Sequence, residues 1–309
     1  MDKEIINSYK DYINFNKHEV NNLPKGVSIS TMCCSAKLGV NVLTENIQKY
    51  MKLEEDYVLT VKVNNDDKRS LLETKSKNKK KKVNVKKVKE LKFYNQITVV
   101  MRIYKGRTTE NLDDEKKINV KLFKNGSIQM SGCKRIEEVN IVINKLIEKL
   151  KETKVKLVDG KPVEINFIDD PSKILIHDFK IDMINSNYRV NLQIDRTNFY
   201  NLLLKKKISA SYEKCIRACV IIKYCPLEEN PQEKEISIFV FQKGNIIITG
   251  AKSRKHISSA YEYLNKIILE HVEEISKKND KEEEDLLLGI YDEILKENSH
   301  KLKLLMNNV

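Results

Sequence analysis

The chain lacks several features that would decide its class at once. No run of about 18 apolar residues could span a membrane, and the opening MDKEIINSYKDYINFNK is too polar for a secretory signal, so the expected home is inside a cell. Its cysteines, Cys33, Cys34, Cys133, Cys215, Cys219 and Cys225, contain no CxxC pair. Without a secretory signal they read as reduced, mostly buried thiols. The histidines, His18, His177, His256, His271 and His300, show no HExxH or similar spacing, which leaves no metal site and no cofactor to expect. An acidic pair at Asp169 and Asp170 is the most suggestive arrangement for catalysis, but no nucleophile or metal clamp accompanies it. Those two residues are expected to end a strand and link two repeats, and no enzyme activity or small-molecule substrate is implied.

What the chain has in quantity is lysine. In 309 residues, 57 Lys and Arg face 44 Asp and Glu, a formal charge of +13 with pI near 9.2. Such a balance leans toward a polyanion, because neutralising phosphates releases counterions. Lysine-rich surfaces that bind nothing and an AT-rich coding sequence are the alternatives. At 40% hydrophobic residues, a full core can be buried, in one large domain or two small ones.

The most informative feature is an internal repeat. FVFQKGNIIITGAKSRKHISSAYEYL, from Phe239, echoes LFKNGSIQMSGCKRIEEVNIVINKLI, from Leu122. Phe123 pairs with Phe241, Gly126 with Gly244, Ile128 with Ile246, Gly132 with Gly250 and Lys134 with Lys252. A match of this length at one offset signals duplication.

In the first copy, Val27 to Cys33 reads as a strand and Thr44 as the cap of a helix through Ile47, Tyr50 and Met51, followed by a long irregular region. ITVVMRIY (Ile97 to Tyr104) is a strand, Gly106 to Lys117 a loop, and NVKLF and SIQMS a hairpin joined at Asn125-Gly126, whose residues supply positive φ. Val139, Val142, Ile143, Leu146, Ile147 and Leu150 form one face of a helix over Glu137 to Leu150. The second copy repeats the order: strand Lys180 to Ser186, helix near Thr197 to Leu204, strands Cys219 to Tyr224, Ile236 to Phe241 and Asn245 to Thr249, then helix Ile257 to Ile275. The expected organisation is a helical lead over 1–24, a first repeat over 25–158 with a basic insertion at about 60–92, a second repeat over 159–278 and a helical tail over 279–309. The insertion, with KNKKKKVNVKKVKELK, is either a solvated surface loop or a basic arm for phosphates. The tail, with Leu286, Leu287, Ile290, Ile294, Leu302 and Leu305 at roughly helical spacing, is expected to pack back on the domain, a partner-binding helix being the alternative.

These motifs resemble the TATA-box-binding protein family. FVFQKGNIIITGAKSR is similar to the family's Phe-x-x-Gly-Lys hairpin followed by Val-Leu-Thr-Gly-Ala-Lys. VVMRI at Val99 to Ile103, RTT at Arg107 to Thr109 and SYE at Ser211 to Glu213 match further motifs, and the resemblance spans roughly 25–275. Equivalent first-strand positions Val27 and Asp182 lie 155 residues apart and the hairpin glycines only 118, so the first repeat carries about 37 extra residues. In its departures and length the chain is similar to the divergent members of large DNA viruses.

The resemblance implies an α+β fold: two pseudo-symmetric βαββββα repeats forming a saddle, one curved antiparallel sheet with helices on its convex face. It implies a transcription initiation factor that binds A·T-rich promoter DNA in the minor groove, bends it and recruits a general transcription factor of the IIB type and RNA polymerase. Minor-groove kinking by this family is itself a worked example of the general principle. The place of action would be the nucleus or, for a viral chain, a cytoplasmic viral factory or virion.

Carried over residue by residue, Phe123 and Phe241 match the second phenylalanine of each wedge pair. Ile29, Thr31 and Ile184 match first-strand groove contacts, Ser131, Ile247 and Thr249 match groove-lining residues, and Arg102, Lys223, Lys134 and Lys252 match backbone-contacting cations. Phe123, Phe241 and Ile247 could equally be core residues on strand pattern alone. Departures are Gln96 and Arg217 at the first phenylalanine of each pair, with Phe93 available if the register shifts, Val27 and Asp182 at the central asparagines, and Gln129 at a small apolar contact. They favour a rival reading, a protein-interaction scaffold of the same fold that has lost sequence-specific DNA binding.

Overall fold

The computed structural model describes residues 22–63, 67–72, 95–104, 115–158, 161–226 and 235–277. The lead, most of the basic insertion, the RTT motif and the tail lie outside the described residues. The first repeat runs β1 (Ser28–Lys37), α1 (Thr44–Tyr50), β2 (Val58–Lys62), β3 (Lys68–Ser70), β4 (Gln96–Tyr104), β5 (Glu115–Phe123), β6 (Ser127–Cys133) and α2 (Ile136–Lys151). A separate hairpin follows, β7 (Lys154–Val158) and β8 (Lys161–Ile165). The second repeat runs β9 (His177–Arg189), α3 (Arg196–Lys205), β10 (Ala210–Ser211), β11 (Cys219–Tyr224), β12 (Ile236–Phe241), β13 (Asn245–Ala251), α4 (Arg254–Glu270) and the short α5 (Val272–Ile275).

Eleven strands are hydrogen-bonded in the order β10-β11-β12-β13-β9-β1-β6-β5-β4-β2-β3. Each repeat thus contributes the same sequence of neighbours, read outward from its own first strand. The expected irregular stretch after Met51 is instead β2 and β3, paired antiparallel at Thr60↔Ser70, Val61↔Arg69 and Lys62↔Lys68. Arg69 anchors that edge: its guanidinium donates to the carbonyls of Ile47, Gln48 and Met51 at the end of α1. Such an extra edge strand carries too few apolar residues to be seen by periodicity.

By compactness the described residues fall into two units whose limits do not follow the sequence repeat. One comprises the residues up to Tyr188 with Tyr224–Ser237 and Ile247–Tyr261, and the other Arg189–Lys223, Ile238–Ile246 and the residues from Glu262. In the first, Met32, Cys34 and Ala36 of β1, Ile97, Val99 and Met101 of β4, Ile118, Val120 and Leu122 of β5, and Ile128 and Met130 of β6 are buried. They alternate with partly exposed neighbours, as a sheet covered on one face requires. The covering side chains are those the helical spacing selects, since Val139, Val142, Ile143, Leu146, Ile147 and Leu150 of α2 are all buried. Each contributes about 1.5–3 kcal/mol of burial. In the second unit, Phe199, Leu202 and Leu203 of α3 lie in the core with Val220 and Ile222 of β11 and Ile238 and Val240 of β12.

The repeated glycines have a steric reason. Gly126 sits at φ +79° and its N–H bonds to the Phe123 carbonyl, while its own carbonyl accepts from Leu38 N–H at 2.9 Å. A Cβ there would lie 2.1 Å from the Val40 carbonyl oxygen. Gly244 repeats this, with φ +76°, Val190 N–H donating to its carbonyl at 2.9 Å, and the Val190 oxygen 2.2 Å from a would-be Cβ. Of the Asn125-Gly126 pair only the glycine takes positive φ, so the turn differs from the expected hairpin, with Asn125 Oδ1 accepting from Ser127 N–H at 3.1 Å.

Other expectations change in detail. Cys34 and Cys133 are buried, but Cys33 and Cys219 are half-exposed and Cys215 and Cys225 exposed, and all six are free thiols. Asp169 accepts from Asn41 N–H (3.0 Å) and Asn41 Nδ2 (2.9 Å), and Asp170 caps the turn Pro171–Lys173, so the acidic pair organises the chain before β9. Among the described residues no helix is long and apolar enough to cross a membrane, and no group of three His, Cys, Asp or Glu could hold a metal ion.

Near the end of α2, the buried Lys149 ammonium meets Glu54 and Glu152, the latter at 2.7 Å, and lies 4.6 Å from the Tyr57 ring centroid. Hydrogen bonds from Lys149 and Lys52 hold the Glu54 carboxyl down to about 2. A depressed carboxyl stabilises the fold fully above its unfolded pKa of about 4.3 and loses that contribution as pH falls through the folded value. Urea titrations of Glu54→Gln should therefore show a shallower loss of stability between about pH 4.5 and 2 than the parent, and superimposable acid limbs would refute the coupling.

The glycine clasp makes a second prediction. Gly126→Ala and Gly244→Ala each combine a left-handed backbone with backbone overlap and should cost about 3 kcal/mol or more. Gly26→Ala, also at positive φ (+85°) but with nothing within 4 Å, should cost about 1 kcal/mol. Thermal unfolding of the three variants measures the difference.

Candidate nucleic-acid interface

The strand faces turned away from the core carry the side chains available to a ligand. In the first unit they form rows across paired strands. Arg102 faces Lys117 across β4 and β5. The next row is Val100, Asn119, Ser131, Cys33 and Met183, linked through Val100↔Asn119, Asn119↔Ser131, Cys33↔Ser131 and Cys33↔Met183. Then come Lys121, Gln129, Ser35 and Lys180, with the buried Thr98 at the β4 end of the row. At the strand end, Gln96 faces Phe123.

Phe123 is half-exposed, not core, as are Thr31 and Ser131, and Ile247 and Thr249 of β13. Thr31 Oγ1 accepts from Gly132 N–H at 3.1 Å, and Thr249 Oγ1 donates to Asn185 Oδ1 at 2.5 Å. In the second unit, Phe241 and Phe239 are both half-exposed on alternate positions of β12, and Lys223 is exposed on β11. Lys134 and Lys252 are exposed just before α2 and α4; their backbone N–H groups donate to Glu138 Oε2 (2.7 Å) and His256 Nδ1 (3.3 Å).

One of the expected contacts is corrected. Ile184 is fully buried. The β1–β9 register steps from Cys33↔Met183 to Cys34↔Ile181, which leaves Asp182 as an extra residue in a β-bulge. Asp182 and Met183 are consequently both half-exposed, and even alternation resumes with Ile184 inward and Asn185 outward. Ile29 is half-exposed beside a second bulge. Ser30 is the extra residue between Ile29↔Ser186 and Thr31↔Asn185, so Ile29 shares the face of the fully buried Ser186. Val27 precedes β1 and closes a turn by bonding Pro24.

Strand periodicity could have found Asn119, Lys121 and Phe239, which lie two or four residues from Phe123 or Phe241. Asn185 had no such signal, because the bulge at Asp182 conceals its direction. Asp182, the departure most hostile to a polyanion, accepts from Ser35 Oγ at 3.1 Å and lies 3.9 Å from Lys180 Nζ. Burial, then the Asp182 charge, pushes the Cys33 thiol up; burial first pushes Cys133 up to about 12. These thiols therefore stay protonated at neutral pH and act as small uncharged groups.

An internally duplicated α+β protein, with helices against one face of antiparallel strands and amides, hydroxyls, phenylalanines and cations on the other, is the class these observations define. The family model described as "Transcription factor TFIID (or TATA-binding protein, TBP)" matches residues 178–271. The "TATA-box-binding protein-like" protein of Acanthamoeba polyphaga mimivirus is 36% identical over 290 residues, covering 88% of this chain and 72% of that relative. The solved structure of Methanococcus jannaschii TBP aligns with 79% of this chain and 98% of its own at 16% identity and a TM-score of 0.46. The chain belongs to the TATA-box-binding protein family.

The Thr249–Asn185 pair generates a test within this surface. Thr249→Val keeps shape and removes the donor, so it should leave thermal stability within about 1 kcal/mol, since the face is hydrated. A loss of several kcal/mol would mean that the pair is a buried structural bond and not a reading surface.

Proposed function

We propose that the chain is a transcription initiation factor that binds A·T-rich double-stranded DNA through the strand faces turned away from its helices, widens and bends the minor groove, and offers the bent complex to a general transcription factor of the IIB type and RNA polymerase. The observation that carries this reading is the exposure of Phe123 in one unit and of Phe239 and Phe241 in the other, beside amides, hydroxyls and lysines. Large aromatic side chains left half in water on a strand face forgo burial that the core could supply. A base step restores their stacking, and small or amide side chains such as Ser131, Asn119 and Asn185 suit the acceptor edges of A·T pairs. Lys121, Lys134, Lys223, Lys252 and Arg102 supply the sequence-independent phosphate attraction.

The rival reading of a protein scaffold draws on Asp182, a carboxylate on the same face. Ser35 and Lys180 moderate that charge, which is why DNA remains the better fit.

Fluorescence anisotropy with a TATA-containing duplex and an A·T-to-G·C-swapped duplex, with end-to-end energy transfer, tests the proposal. Tight, A·T-selective binding with bending is expected, with a negative salt slope. Phe123→Ala and Phe241→Ala should each weaken binding about tenfold or more and reduce bending, with the fold intact, because a stacking wedge is worth about 1–3 kcal/mol. Unselective binding without bending would leave the scaffold reading in possession.

A further inference from the structure

The open face of the first unit carries one charge that the acceptor edges of A·T pairs cannot satisfy. Asp182 stands on β9, which lies beside β1 in the middle of the strand order. As the extra residue of the bulge it is half-exposed, and two contacts fix the side it faces. Ser35 Oγ donates to its Oδ1 at 3.1 Å, and Lys180 Nζ lies 3.9 Å from the same oxygen. Ser35 and Lys180 both belong to the open-face row. Among the described residues no hydrogen bond reaches Oδ2, so that oxygen is the one left to accept.

A carboxylate on a surface that meets DNA is costly unless its charge is balanced and its oxygens find donors. The balance is present in the row. Exposed Lys121 and Lys180 flank Gln129 and Ser35 across β5, β6, β1 and β9, on strands about 4.8 Å apart. Burial first, and the Asp182 charge second, raise the Cys33 thiol, while Lys121 lowers it, so both charges bear on the same stretch of the face. The donor must come from the groove. A·T and T·A pairs present only the acceptors A N3 and T O2 there, whereas a G·C pair adds the guanine 2-amino group. An ionised carboxylate can only accept, so against an A·T pair it loses water without replacement. Against guanine it gains a charge-assisted hydrogen bond.

We propose that Asp182 selects guanine: within an otherwise A·T-rich site the chain prefers one G·C pair at the step facing this part of β9, and the guanine 2-amino group donates to Asp182 Oδ2. The inference rests on the DNA-binding reading above and deepens it, because the preferred duplex is then A·T-rich with one embedded G·C pair. Asn185, further along the same strand, is half-exposed and suits A·T edges. One strand thus carries an amide for A·T pairs and a carboxylate for guanine.

The full chain would be titrated by fluorescence anisotropy against A·T-rich duplexes in which a single G·C pair is moved step by step. One position should bind about tenfold more tightly than the all-A·T duplex. There, inosine·C, which lacks the 2-amino group, should lose the gain, and 2,6-diaminopurine·T, which adds that group to an A·T-like pair, should keep it. Asp182→Asn gives the position a donor, so it should remove the preference and bind the all-A·T duplex more tightly than the parent does. Asp182→Ala should also lose the preference. The base analogues decide the matter with the parent chain alone, whatever the stability of the variants. A gain at no position, a gain that inosine retains, or one that survives in both variants would overturn guanine selection while leaving DNA binding intact. Failure of the parent to bind any of the duplexes would overturn both readings.

Discussion

Everything the open faces present depends on how each repeat holds its glycine hairpin. In the first, the segment leaving β1 crosses the tip of the β5–β6 hairpin so closely that the Val40 carbonyl occupies the space of a Cβ on Gly126. Leu38 N–H and Val42 N–H donate to the Gly126 and Lys124 carbonyls. In the second, Val190 N–H and Ile194 N–H donate to the Gly244 and Gln242 carbonyls in the same manner. This clasp joins the first strand of a repeat to its last hairpin, pieces nearly 90 residues or 50 residues apart in sequence, and so fixes which strand lies beside which. It also places Phe123 and Phe241 three residues before the glycine, at a strand end where an aromatic ring can project without opening the core.

The repeats keep this clasp while their surroundings diverge. At the start of α2, Glu138 caps the Lys134 N–H and meets Lys116; at the start of α4 the same position is His256, which accepts from Lys252 N–H through Nδ1. Either acceptor satisfies the orphan donor of a helix start, so the side chain is free to change where the geometry is not. The extra chain of the first repeat is spent in the same permissive way. Its described part includes β3, which adds an edge strand beyond β2, outside the pairings of β4, β5 and β6.

Most of the fold was legible in the sequence because the duplicated core elements are strongly patterned. The α2 face read from Val139 to Leu150 is the buried face, and β11 and β12 have the bounds their apolar runs suggest. Short or exposed strands were not legible: β3, β10 and the β7–β8 hairpin bury too little for period two to register, and β2 is buried on both faces, with Val58, Leu59, Thr60 and Val61 all buried. At the site, Phe123, Ser131, Ile247 and Thr249 lie half-exposed on unbroken stretches of strand. Ile184 turns inward because a one-residue bulge at Asp182 reverses the side chains beyond it, and no glycine or proline stands there to announce one.

The bulge in β9 also leaves an amide on the open face of a chain that has Val27 and Asp182 in place of the family's central asparagines. By spending Asp182 as the extra residue, β9 turns Asn185 outward opposite Thr31, where Thr249 holds its oxygen. With that oxygen engaged, the amide nitrogen is the group left to donate, and a donor is what the acceptor edges of A·T pairs require. The carboxylate that looked most hostile to DNA is therefore also the residue whose insertion sets the direction of a favourable one. Sequence comparison by position counts such an exchange as a loss, whereas strand geometry shows an outward amide three residues further along β9.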